Sequence, residues 1–207
     1  MALILALDTA AKVVGVALVE GGEVLAEVTL TAAMPHDAGL FPAIETALAS
    51  GARRLEELDA IAVAAGPGSF TGLRTGIAVV KGLGEALGRP VFGISTLAAL
   101  ALAGSGGIRA AVMDARRGMV YVGCYTAAGD PAGGESILAP GDWEASIGAV
   151  PDTVVIREES AAKLLAAVLP GVEFQVVAEP LAGAVGQLAE RAWHSGERPD
   201  PAALDAR

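Results

Sequence analysis

The chain has 207 residues, a mass of 20.6 kDa and a composition that is 53% hydrophobic and 18% charged. A chain this apolar can bury a substantial core, which excludes intrinsic disorder over most of its length. The formal net charge of −10 excludes a broad basic surface, so we expect no tight nucleic-acid binding by the isolated chain. Its single cysteine, Cys124, excludes a disulfide framework and a multi-thiolate metal site.

We expect neither a targeting segment nor a membrane span. Residues 1–7 are apolar, but Asp8 ends the run and no basic region precedes it, which argues against a signal peptide. The longest uncharged stretch, 91–108, contains glycines and hydroxyl residues that favour a strand, a short helix and a loop over a spanning helix. These features predict a soluble cytoplasmic protein.

The sequence of the first half predicts seven elements in the order β-β-β-α-β-α-β. Apolar runs typical of β-strands occur at 3–7, 13–19, 24–30, 58–65 and 90–94. Apolar residues at helical spacing predict helices at 37–50 and 71–87. Gly21 and Gly22 lie between two of the apolar runs and predict a β-hairpin.

The second half opens on a pattern that repeats the start of the first. An apolar strand, an aspartate, a short turn and a second strand occur around Asp8 and again around Asp114. This repetition favours a duplicated domain, although two unrelated hairpins would show the same sequence pattern. Further strands and helices are expected at 154–156, 161–169, 173–177 and 181–193. We predict an N-terminal α/β lobe (1–105), a C-terminal α/β lobe (106–195) and a loosely ordered tail (196–207).

A glycine-rich segment at 64–76 joins a predicted strand to a predicted helix, where backbone N–H groups favour an anion. The segment matches neither of two known phosphate-binding motifs. Leu73 follows Gly72 where a Walker loop has lysine, and Thr71 stands where a dinucleotide-binding fingerprint has its third glycine. The alternative is a structural turn in which Ser69 or Thr71 caps the helix. Residues of a vestigial nucleotide site would be Asp8, Gly66, Gly68, Ser69, Thr71 and Asp114.

The helix after this loop carries several glycines, each of which costs about 1 kcal/mol relative to alanine inside a helix. Gly72, Gly76, Gly84 and Gly88 form one i±4 row, along which another backbone can approach closely. We expect one apolar face to pack on the sheet and the row to meet a partner; the alternative is coverage by helices of the same chain. The expected interface comprises Leu40, Phe41, Ile44, Leu73, Gly76, Ile77, Val80, Gly84 and Leu87.

The string GPGSFTGLR at 66–74 resembles the signature of the TsaB (YeaZ) family, supported by LDT at 7–9, STL at 95–97 and MDARRG at 113–118. The resemblance implies an α/β fold of the actin/Hsp70/sugar-kinase-like (ASKHA) class, with duplicated lobes of which the second is reduced. It implies a non-catalytic subunit for threonylcarbamoyladenosine (t6A37) modification of tRNA. The implied partners are a TsaD paralogue and, in a larger complex, a TsaE-type ATPase. We expect a homodimer in isolation, a heterodimer in the cell, no cofactor and no tight tRNA binding by the chain alone.

Two enzyme classes compete with this interpretation. A metalloprotease needs clustered ligands, but His36 and His194 are far apart in the sequence, so we expect no metal site. A nucleotide-dependent phosphotransferase or ATPase would use Asp8 and Asp114 as carboxylates. The alternative is that each aspartate only accepts backbone N–H groups in its own turn.

Overall fold

A computed structural model of the protein describes residues 1–30, 36–143, 151–172, 174–178 and 180–205, with 36–38 described by their backbone alone. The chain folds into two compact units: the first is Met1–Thr96 with Pro180–Arg207, and the second is Leu97–Glu179. Among the described residues, no helix combines the length and the hydropathy needed to cross a membrane.

Each unit contains one five-stranded sheet. The strands of the first sheet are β1 (Leu3–Asp8), β2 (Val14–Glu20), β3 (Glu23–Leu30), β4 (Ala60–Gly66) and β5 (Val91–Ser95). Those of the second sheet are β6 (Arg109–Arg116), β7 (Met119–Tyr125), β8 (Ser136–Leu138), β9 (Thr153–Ile156) and β10 (Phe174–Val176). Among the described residues, the α-helices are α1 (His36–Ser50), α2 (Phe70–Leu87), α3 (Thr96–Ala103), α4 (Glu159–Leu165) and α5 (Ala182–His194).

The two sheets have the same topology. The first has the order β3-β2-β1-β4-β5 and the second β8-β7-β6-β9-β10. In both, the central strand is the first of its sheet in the chain; it pairs antiparallel with the second strand and parallel with the fourth. The second sheet has shorter outer strands. The predicted duplication with a reduced second lobe is therefore confirmed.

Strand β1 is buried along its whole length because helices cover both faces of the first sheet. Leu5 and Leu7 belong to the apolar cluster that contains Leu40 of α1 and Ile77 of α2. On the other face, a Cβ added at Gly186 of α5 would lie 3.1 Å from the Cβ of Ala6. Alternate residues of a strand point to opposite faces, so a strand covered on both sides reads as a continuous apolar run.

The unit boundaries differ from the lobes expected at 1–105 and 106–195. Helix α5 packs on β1, β2 and β4 of the first unit, although it follows the second unit in the chain. Its row of buried small residues accounts for this position: a Cβ at Gly186 would overlap Val19 Cγ2. The C-terminal helix therefore completes the first sheet rather than the second.

The end of the chain, predicted to be a loosely ordered tail, contacts the first unit. Lys81 Nζ donates hydrogen bonds to the carbonyl oxygens of Ala202 and Leu204, both at 3.1 Å. The Leu204 side chain packs against the apolar cluster of this unit. The described part of the tail is thus attached to α2.

Candidate functional site

The first-unit residues of the candidate nucleotide site meet at the carboxyl ends of β1 and β4. These strands are parallel neighbours, so the loops that follow them leave the same edge of the sheet. The Ser69 N–H donates a hydrogen bond to the Ala10 carbonyl at 2.8 Å, which joins the two loops directly. Asp114 lies two residues before the end of β6, the corresponding strand of the second sheet, directly before its register shift.

Asp8 is completely buried, and both of its carboxylate oxygens accept backbone hydrogen bonds. Oδ1 accepts from the Ala10 N–H at 3.0 Å, and Oδ2 accepts from the Leu181 N–H at 2.9 Å. Asp114 makes the same kind of hydrogen bond within its own turn, since its Oδ1 accepts from the Arg116 N–H, two residues on, at 2.7 Å. Each aspartate therefore accepts a backbone N–H of its own turn, and Asp8 accepts a second one from a distant segment.

The glycines of the loop allow two backbone segments to pack against each other. A Cβ at Gly68 would lie 2.7 Å from the Ala10 carbonyl oxygen. Added Cβ atoms at Gly72 and Gly76 would overlap the carbonyl oxygen and the Oγ1 of Thr9, respectively. These close approaches explain the glycines without a bound phosphate.

Ser69 is the N-cap of α2, as the alternative interpretation of the loop predicts. Its backbone is extended and its side chain accepts a hydrogen bond from the Gly72 N–H at 3.4 Å. Thr71 is already inside the helix and exposed. The segment therefore functions locally as a strand-to-helix turn.

Most of the expected interface residues lie inside the first unit, which corrects the sequence prediction for them. Five apolar members are buried in its interior: Leu40, Ile44, Leu73, Ile77 and Val80. Gly72, Gly76 and Gly84 of the glycine row are also covered by the same unit, since a Cβ at Gly76 would meet Thr9 and one at Gly84 would meet Val91 and Pro201, whereas Gly88 is exposed. Leu87 is partly buried, and only Phe41, 52% exposed, faces solvent.

A second i±4 row of α2, which the sequence analysis missed, is exposed. We call it the α2 row; its members are Phe70, Arg74, Ala78, Gly82 and Ala86. Phe70 is 69% exposed, and the Arg74 guanidinium lies 5.2 Å from its ring centroid. A shift of two residues turns the helix by about 200°, so this row lies opposite the glycine row. Its spacing was visible in the sequence, but either row was compatible with a buried face.

In the second unit, two charged residues missed by the sequence analysis lie near Asp114. Arg157 and Glu158 follow β9, the parallel neighbour of β6, and Arg157 is buried. Burial raises the pKa of the Glu158 carboxyl, whereas the Arg157 charge and a hydrogen bond from the Asp114 backbone N–H oppose the rise. The sequence could have indicated this proximity, because residues that follow two neighbouring parallel strands lie at the same edge of a sheet.

The histidines and the cysteine occupy unrelated places. His36 is the first residue of α1, whereas His194 ends α5 with its Nε2 3.7 Å from Glu190 Oε1. Cys124 is buried in β7, and burial raises the pKa of its thiol. Within the described ranges, no three histidine, cysteine, aspartate or glutamate side chains are grouped to hold a metal ion.

Comparison with known proteins identifies relatives by sequence and by structure. The family model described as TsaD, tRNA N6-adenosine threonylcarbamoyltransferase, matches residues 23–179. The chain is 37% identical over 124 residues to the tRNA threonylcarbamoyladenosine biosynthesis protein TsaB of Bacillus subtilis, a match that covers 59% of this chain and 54% of that protein. The chain thus spans about half the length of this curated relative.

Structural similarity extends over the whole chain. YeaZ from Pseudomonas aeruginosa matches with a TM-score of 0.85 and 30% identity, covering 100% of this chain and 99% of that chain. Component A of the Acidaminococcus fermentans (R)-2-hydroxyglutaryl-CoA dehydratase shares only the fold, with a TM-score of 0.57 and 9% identity over 93% of this chain and 100% of that one. These matches and the duplicated topology confirm the predicted ASKHA-like α/β fold. The chain therefore belongs to the TsaB (YeaZ) family, within the wider family that the TsaD match represents.

Proposed function

We propose that the protein is a non-catalytic subunit of the t6A37 modification system and that it binds a TsaD paralogue. The names of its relatives support the pathway. The observation that carries the non-catalytic role is the engagement of Asp8, whose two oxygens accept the N–H groups of Ala10 and Leu181. A carboxylate used in this way stabilises the fold, while the adjoining glycines pack against Thr9 and Ala10.

The proposed docking surface is the α2 row together with Phe41 of α1. It combines two exposed phenylalanines with small residues at Ala78, Gly82 and Ala86, whose short side chains allow a partner helix to approach closely. Aromatic residues and arginine are enriched in protein interfaces, and exposed apolar patches of this kind mark association sites. The TsaD paralogue is the proposed occupant in the cell.

Without that partner, the same surface is proposed to bury its own copy in a homodimer, because a two-fold arrangement lets one patch cover itself. A TsaE-type ATPase is proposed to join the larger complex at a separate surface. Since the isolated chain carries a net charge of −10, the tRNA is proposed to be held mainly by the partner.

The direct test is Gly82→Leu, measured by pull-down with the TsaD paralogue from the same cell and by light scattering of the isolated chain. Apart from its chain neighbours and the backbone of α2, no heavy atom of the described residues lies within 4 Å of a Cβ at Gly82, so the variant should fold normally and block only an external partner. Gly134→Leu is the matched control, since Gly134 is also exposed and an added Cβ there would have no described residue within 4 Å other than its chain neighbours. We expect the first variant to lose association and the control to keep it.

Two results would overturn the proposal. Normal association of folded Gly82→Leu would exclude the α2 row as the docking surface. Magnesium-dependent ATP turnover by the isolated wild-type chain, lost in folded Asp8→Asn, would instead favour a phosphotransferase or ATPase. Stoichiometric metal in the purified protein would likewise reopen the metalloprotease alternative.

A further inference from the structure

The tip of the β6–β7 hairpin has an unusual backbone. Arg116, Arg117 and Gly118 all have positive φ, of 68°, 53° and 77°. Residues with a Cβ rarely adopt this left-handed conformation, because the Cβ approaches the carbonyl oxygen of the same residue. The β2–β3 turn of the first sheet instead places glycines there, Gly21 at 65° and Gly22 at 81°.

The surrounding residues hold the tip in this strained form. Asp114 Oδ1 accepts the Arg116 N–H at 2.7 Å, and the register of β6 shifts so that Arg116 pairs with Met119. Glu158, which follows β9, accepts a hydrogen bond from the backbone N–H of Asp114, two residues before Arg116. Strained backbone that the neighbouring structure enforces is concentrated at functional sites.

Both arginine side chains are exposed. Across the residues the structure describes, the Arg117 side chain has no hydrogen bond or ion pair, and Arg116 interacts electrostatically with Glu158. The other two adjacent arginines are each paired with a glutamate: Arg53 Nη2 lies 2.7 Å from Glu20 Oε2, and Arg54 Nη2 lies 3.8 Å from Glu57 Oε1. The hairpin tip therefore presents two exposed guanidinium groups on a strongly acidic chain, and among the described residues that of Arg117 has no counter-charge.

We propose that Arg116 and Arg117 contact backbone phosphates of the tRNA substrate within the assembled complex, an inference that rests on the proposed function. The guanidinium group has a planar set of donors that matches phosphate oxygens, and its charge does not titrate near neutral pH. Two such contacts cannot hold RNA on a chain of charge −10, but they add to the contacts of a partner that already binds it. The proposed TsaD surface is on the first unit, whereas this hairpin belongs to the second.

The test compares tRNA binding by the complex of the full chain with its TsaD paralogue over a series of salt concentrations. The double variant Arg116→Asn with Arg117→Asn removes the charge, and asparagine tolerates left-handed backbone. The matched control, Arg54→Asn with Lys163→Asn, removes the same charge from two other positions outside the hairpin. Thermal unfolding should show the double variant to be at least as stable as the wild type.

We expect the double variant to bind tRNA about tenfold more weakly than the wild type. The plot of log association constant against log salt concentration should also be less steep, its negative slope reduced in magnitude by about 1 to 2. The control should keep the affinity and slope of the wild-type complex. Unchanged tRNA affinity in the double variant would overturn the inference. Weaker association of the double variant with the TsaD paralogue would also overturn it, since the tip would then contact protein rather than RNA. Failure of the wild-type pair to associate would instead overturn the proposed function.

Discussion

The Asp8 carboxylate accepts the backbone N–H of Leu181 at 2.9 Å, across 173 positions of sequence. Leu181 is the N-cap residue of α5, and its carbonyl oxygen accepts the first hydrogen bond of that helix from Val185. A negative charge at a helix N-terminus is favoured by the helix dipole and by the unpaired N–H groups there. One buried aspartate therefore connects the end of β1 to the helix that returns from the second unit.

Replacing Asp8 should be costly to stability. Asp8→Ala leaves the N–H groups of Ala10 and Leu181 without their acceptor, which should lower the free energy of unfolding by about 2–5 kcal/mol. Asp114→Ala is the matched control; it removes one acceptor at a partly exposed site and should cost about 1 kcal/mol. Urea unfolding followed by circular dichroism measures both, and equal losses would contradict the special role of the Leu181 contact.

Alanine substitutions at a buried and at an exposed glycine of α2 should change the stability of the protein in opposite directions. Gly72→Ala places a Cβ on the Thr9 carbonyl oxygen, a backbone atom that cannot move aside easily, and should destabilise the protein by about 3 kcal/mol. Gly82→Ala adds a Cβ that, in the part of the chain that the structure describes, meets nothing within 4 Å beyond its own helix, and it should stabilise the helix by up to about 1 kcal/mol. Thermal unfolding of the two variants provides the comparison; a neutral Gly72→Ala would show that the loops do not pack as described.

Glu190 should hold the β2–β3 turn against α5. Its buried carboxylate accepts the N–H groups of Gly21 at 2.8 Å and Gly22 at 2.6 Å. Glu190→Gln keeps the shape but turns one acceptor into a donor, so we expect a loss of about 1–3 kcal/mol in the free energy of unfolding. Amide hydrogen exchange at Gly21 and Gly22 should become faster. Unchanged protection of both amides would contradict the contact.

Glu158 should make stability depend on pH. Burial raises the pKa of its carboxyl in the folded state above the ordinary value of a glutamate, so folding favours the protonated form. Its contribution is fully present below the pKa of the unfolded chain and is lost as pH rises through the raised folded pKa. Glu158→Gln should therefore be more stable relative to the wild type at neutral pH than at pH about 4. Denaturant titrations at the two pH values decide this, and a constant difference would contradict it.

The sequence by itself determined every strand of the first sheet and all of the second except the three-residue β8, because the signals are local. Apolar runs such as that of β1 indicate strands covered on both faces, and Gly21 with Gly22 indicates a hairpin. The loop before α2 was likewise predictable as a capped helix start, since Ser69 needs only its own neighbours to accept the Gly72 N–H. The repeated strand–aspartate–turn pattern predicted the duplicated topology that the structure confirms.

Only the tertiary structure decided which surfaces these elements cover. The glycine row of α2 and the exposed α2 row are both compatible with an apolar helix, and the choice depends on Thr9 and Val91, which belong to other segments. The position of α5 in the first unit depends on Asp8, far away in the sequence. Local propensity depends on nearest neighbours in the chain, whereas the direction of a face depends on contacts between distant segments, which no local pattern contains.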